Sequence, residues 1–147
     1  DGSLCTVHAN TPRDALARTE TLVLTAGVEL PLRAIREQIS SAFDLIVQVN
    51  RLVDGTRRIT HVTEVLRMES DVVTLQDIFI AKAVDEAGGN QDAGHRLLGP
   101  LTCTGLKPHF LDKMASNGVN LPPNFFQEES GERAASTSGI FGRAVGE

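Results

Sequence analysis

Nowhere in its 147 residues does the chain hold an apolar run approaching the ~20 residues that a membrane-spanning helix requires. A charged start followed by an apolar stretch, the mark of a signal peptide, is also missing, so the expected compartment is the cytoplasm. Cysteine is scarce. Cys5 and Cys103 lie far apart without CxxC spacing, which fits two reduced thiols better than a disulfide framework or a zinc site. The four histidines include no i,i+4 pair with a nearby carboxylate, so a metal centre is not expected. An excess of positive charge is lacking too. The net charge of −5 and pI near 5.3 disfavour nucleic acid and anionic lipid as primary partners. No internal repeat is present, and a hydrophobic fraction of 41% suffices for one buried core in one domain.

Leu4 to His8 alternates like a strand until Asn10, Thr11 and Pro12 break the pattern. Because Asp1 precedes this run directly, the chain is expected to begin inside a folding unit. Thr11 suits an N-cap, Pro12 the first helical position, and Asp14 a capping-box-like spacing. Ala15, Leu16, Thr19, Leu22, Val23 and Ala26 then trace one helical face up to Gly27, which can adopt a left-handed cap. After Pro31, Leu32, Ile35, Ile39, Ala42 and Phe43 predict a second helix.

The period switches to two over Leu45 to Leu52, and the turn former Asp54-Gly55 leads into a second alternating run from Arg57 to Leu66. Val72 to Ile80 follows a polar turn at Glu69, Ser70 and Asp71, which predicts a three-stranded antiparallel meander. Ala81 to Gly99 reads as a poorly ordered loop or weak helix, and Pro108 to Asn117 as a short helix that buries Phe110, Leu111 and Met114 and stops at Gly118. Glu64 and Asp77 read as solvent-facing or edge residues on strands. Residues 1–126 form the expected domain, and 127–147 have the composition of a disordered tail.

Chemistry concentrates where a strand delivers His8 and Asn10 to a loop just before a capped helix. An imidazole there can donate to a phosphate oxygen, with Asn10 fixing its tautomer or the loop; a structural histidine bonded to loop backbone is the competing reading. Pro12 removes one helix N–H from this corner, and Asp14 opposes an anion.

The string Asp1-Gly2-Ser3-Leu4-Cys5-Thr6-Val7-His8-Ala9-Asn10 resembles the His box of type II/IV secretion and pilus-assembly ATPases, in particular the CpaF/TadA subfamily of tight-adherence pili. Further segments are similar in the same order: Arg13 to Arg18 with Glu20-Thr21-Leu22, Leu30 to Arg36, Ile59 to Val65, Thr104 to Phe110, and Leu121-Pro122-Pro123. The resemblance implies an α/β fold, part of a RecA-like P-loop NTPase domain, with strand, helix, helix, meander and a small helical end. It implies a homohexameric motor that hydrolyses ATP with Mg2+, lies in the cytoplasm against the inner membrane, and works with inner-membrane pilus or secretion platform proteins. His8 takes the place of the histidine at the γ-phosphate, with Asn10 and Arg13 supporting it. Arg18, Arg33 and Arg36 are candidates for subunit or nucleotide contacts, although exposed helix arginines are commonly just solvated.

No GxxxxGK[ST] loop occurs in the sequence, nor an apolar strand ending in paired acids before His8. The phosphate cradle and metal-organising carboxylates are therefore expected before Asp1, and the chain is expected to be inactive by itself. A non-catalytic oligomerisation or docking module is the alternative function.

Overall fold

The computed structural model describes residues 2–52, 54–84 and 97–127. Helix α1 (Pro12–Thr25) starts where its capping chemistry places it. Thr11 is extended and its hydroxyl accepts the Asp14 N–H at 3.1 Å, while Pro12 occupies a position whose N–H would have no helical partner. At the other end Gly27 takes φ +77°, the left-handed conformation that lets the chain leave the helix without a Cβ clash. Helix α2 (Leu32–Ala42) buries Ile35 and Ile39, one turn apart on one face.

Four strands follow as an antiparallel meander in the order β1-β2-β3-β4: β1 (Leu45–Arg51), β2 (Arg57–Glu69), β3 (Val72–Val84) and β4 (Leu97–Cys103). Gly55, at φ +84°, turns the chain between β1 and β2, and the Asp54 carboxylate accepts the Thr56 N–H and hydroxyl at 2.9 and 2.7 Å. Those bonds hold the Asp54 carboxyl below its ordinary pKa, aided by the charge of Arg58. Ser70 turns β2 into β3 with φ +58°.

Alternation on β2 divides the interior into two layers. Val65 joins Leu16, Ile35, Ile39 and Val73 under the two helices, with Ile46, Phe43 and Leu75 packed around them. Ile78, Cys103 and Phe126 form the second cluster with Phe79, Leu111 and Leu121. There Phe79, Phe125 and Phe126 meet edge-on or tilted, at centroid distances of 5.0 to 6.2 Å. The short helix α3 (Leu111–Ser116) belongs to this layer and ends at Gly118, φ +80°.

The fold is thus mixed α/β: two N-terminal helices, a four-stranded antiparallel meander and a short helix. Several expectations are corrected. Leu4 to His8 forms no strand, because no neighbour among the described residues offers it a ladder, and Leu4 is 102% exposed. The meander has four strands instead of three. β3 continues to Val84, and β4 occupies the end of the stretch expected to be loop or weak helix; Pro100 is tolerated because β4 is an edge strand and its register slips between Ala81 and Ala83. The expected disorder over the middle of that stretch, and the expected tail over 127–147 save Gln127 itself, lie outside the described residues. α3 is shorter than the predicted span, and Phe110, Leu111 and Met114 are half-buried, since only one layer covers them.

Thr11→Ala should lower unfolding stability by about 1 kcal/mol, read from urea denaturation, through loss of the cap. A second expectation concerns acid. The depressed Asp54 pKa adds stability that is present above the carboxyl's unfolded pKa and fades as pH falls through its lower folded value. Asp54→Asn should therefore narrow the gap in melting temperature from wild type as pH drops through the carboxylate range.

Candidate functional site

β1 fixes the loop that carries His8. Gln48, buried on the helix side of β1, donates from Nε2 to the Ala9 carbonyl at 3.0 Å and to Asn50 Oδ1 at 2.7 Å. The backbone next to His8 is thereby tied to the sheet although Leu4 to His8 joins no ladder. The His8 side chain itself is exposed and makes no hydrogen bond among the described residues. It opens onto a groove of about 520 Å³ along α1, shared with Asn10, Asp14, Arg18 and Thr21.

This groove brings together three of the six candidate residues: His8, Asn10 and Arg18. An imidazole, an amide and a guanidinium on one open wall can donate hydrogen bonds to an anion; Asp14 on the same wall opposes one. The other three candidates are engaged elsewhere. Arg13 donates from Nη1 to the Val73 carbonyl at 2.9 Å, which straps α1 to the start of β3. Arg33 lies exposed against Glu37 at 3.3 Å and Asp71 at 3.8 Å. Arg36 binds both Glu20 oxygens, at 2.9 and 3.2 Å, and the Asp71 carbonyl at 2.8 Å, so it joins α2 to α1 and to the β2–β3 turn. The bond to Glu20 raises the Arg36 pKa further above its already high value, so this guanidinium stays charged.

Glu64 corrects the solvent-facing reading. It is 3% exposed on β2, and Oε1 accepts the backbone N–H groups of His109 at 2.7 Å and Phe110 at 3.2 Å, while Oε2 lies 3.2 Å from His109 Nδ1. Phe110, the N-cap residue of α3, supplies no side-chain acceptor. Glu64 does so from 46 residues away in sequence. The available signal was a helix start without a Ser, Thr, Asp or Asn cap, which leaves N–H groups in need of an acceptor from elsewhere. Asp77 is half-buried and accepts from the Thr63 hydroxyl at 2.5 Å. A second groove, of about 900 Å³, runs beside Glu64 between Phe43, Asp44, Met68, His109 and Lys113.

No group of three His, Cys, Asp or Glu side chains among the described residues is arranged to hold a metal ion, and no described helix is long and apolar enough to cross a membrane.

Glu64→Ala should cost about 1 to 3 kcal/mol by stranding the His109 and Phe110 N–H groups. It should also loosen the layer that covers Cys103. Thiol labelling checks this: exposed Cys5 reacts at once and serves as the internal reference, and buried Cys103 should react markedly faster in the variant.

No protein-family model matches the chain, and no curated protein matches it.

Proposed function

We propose that this chain is the C-terminal portion of a hexameric ATPase motor of the secretion and pilus-assembly class, similar to the CpaF/TadA subfamily. Its partners in this reading are further copies of itself and inner-membrane platform proteins, on the cytoplasmic face. The ordered series of similar segments supports the class. The observation that carries the site is His8 standing exposed on an open groove beside Asn10 and Arg18, where a structural histidine would be enclosed or bonded.

His8, Asn10 and Arg18 fit one task in such a motor, donating to the terminal phosphate of ATP. The groove offers Asp14 as its sole carboxylate, so these residues do not form a Mg2+ cage; the metal ligands and the cradle for the other phosphates belong to polypeptide outside this chain. Bound there, Mg2+ would offset charge on the transferring phosphoryl group. His8 donates to the oxygen on which negative charge builds, an interaction that strengthens toward the transition state. Ala9, held by Gln48, keeps the histidine's backbone in place while the imidazole remains free to turn.

The purified 147-residue chain should show no Mg-ATP turnover above buffer, and robust turnover would overturn the proposal. In the complete motor, His8→Ala should lower kcat by about 10²-fold, in the range of losing one transition-state donor, while changing nucleotide affinity several-fold at most. Equal losses in both would mark His8 as structural and favour the docking-module reading.

A further inference from the structure

β1 carries an amide at its most buried position. Its neighbours Ile46, Val47 and Val49 are apolar, yet Gln48 between them is only 6% exposed. A primary amide taken out of water costs stability unless its polar atoms are bonded, and an aliphatic side chain there would avoid that cost. Gln48 Nε2 makes two bonds, at 3.0 Å to the Ala9 carbonyl and at 2.7 Å to Asn50 Oδ1. Asn50 lies two residues on and therefore on the same face of the strand. Its oxygen fixes which way the amide turns and leaves the other N–H aimed at Ala9, 39 residues away in sequence.

The adjacent strand has an irregularity at the same place. Gln48 pairs with His61 and Val49 with Ile59, so Thr60 is an extra residue on β2, a β-bulge directly across from the amide. Thr60 is 3% exposed, and its hydroxyl faces the Gln48 carbonyl at 3.5 Å. Bulges are frequent next to functional sites, where they re-aim a side chain. Here the side chain opposite the bulge is the one that reaches the residue between His8 and Asn10. Among the described residues, no other hydrogen bond joins residues 2–10 to the rest of the protein. The contact lies wholly within the chain, on the α1 side of the histidine, so it does not depend on polypeptide that precedes Asp1.

We propose that Gln48 is a positioning residue for His8: its amide, oriented by Asn50 and placed by the Thr60 bulge, holds the Ala9 carbonyl so that the imidazole meets a terminal phosphate in donating geometry. This role rests on the nucleotide reading of His8 and adds the group that makes its donation productive. An amide of purely structural value would stabilise the fold without regard to His8, and the two roles part in the kinetics.

The test is made in the complete motor. Gln48→Met, which removes the donor at similar length, should lower kcat by about 10- to 10²-fold, the range open to a misplacement of an ångström or less, and by no more than His8→Ala does. Nucleotide affinity should stay within a few-fold of wild type. In the His8→Ala background, Gln48→Met should cause no further loss, because it acts through the missing imidazole. Amide exchange should quicken over residues 2–11 while β1 and β2 keep their protection. Asn50→Ala, which frees the amide to turn, should produce the same pattern more weakly, and it carries the test should the Gln48 variant fail to assemble. Unchanged kcat, a loss that persists in full without His8, or affinity lost in step with turnover would overturn the proposal. The two readings separate cleanly: turnover that survives His8→Ala removes the nucleotide reading and this role with it, whereas turnover that depends on His8 but not on Gln48 or Asn50 removes this role alone.

Discussion

Adjacent residues of β2 hold the two layers of this protein together. Val65 points under α2 into the cluster of Leu16, Ile35 and Ile39, and Glu64 points the other way into the segment that leads to α3. The second contact is the more demanding. A carboxylate at 3% exposure loses nearly all of its water, and only closely placed donors offset that loss. His109 and Phe110 provide two backbone N–H groups and a ring nitrogen, and these directional bonds fix where the 108–127 segment sits far more sharply than apolar contact alone. Ile78, Cys103 and Phe126 then pack beneath a segment whose register is already set.

Local chemistry made the helices legible. Thr11 and Pro12 start α1 because each solves a problem confined to the first turn, and Ile35 and Ile39 repeat at the helical period because one side of α2 meets the sheet. Glu64 was not legible in this way. Alternation assigns it a face but cannot say what covers that face, and its cover arrives from residues about 45 positions later. β4 was hidden for a similar reason. Gly99 and Pro100 argue for a loop when judged locally, and only the pairing of flanking residues with β3 overrides them. The reverse error occurred at Leu4 to His8, where alternation alone cannot create a strand without a neighbour to bond.

The arginines show the same divide at the candidate site. Spacing placed Arg13, Arg18, Arg33 and Arg36 on two helices without ranking them. In three dimensions Arg13 and Arg36 act as straps to backbone carbonyls and to Glu20, and Arg33 forms solvated pairs of small energetic value. Arg18 shares the groove with His8 and Asn10. Which cations line the groove was thus decided by acceptors on β3, on the β2–β3 turn and on the helices themselves, as at Glu20 and Glu37. The His8–Asn10 neighbourhood was legible because both residues belong to one short loop.

β1 connects the groove to the sheet edge through its two faces. Inward, Gln48 holds the Ala9 carbonyl and so sets the backbone from which His8 projects. Outward, Val47 and Val49 flank that same residue and are exposed. A strand is stiff over this length, so the position of β1 cannot change on one face alone. The register slip lies between Gln48 and Val49, where the local twist of the strand increases.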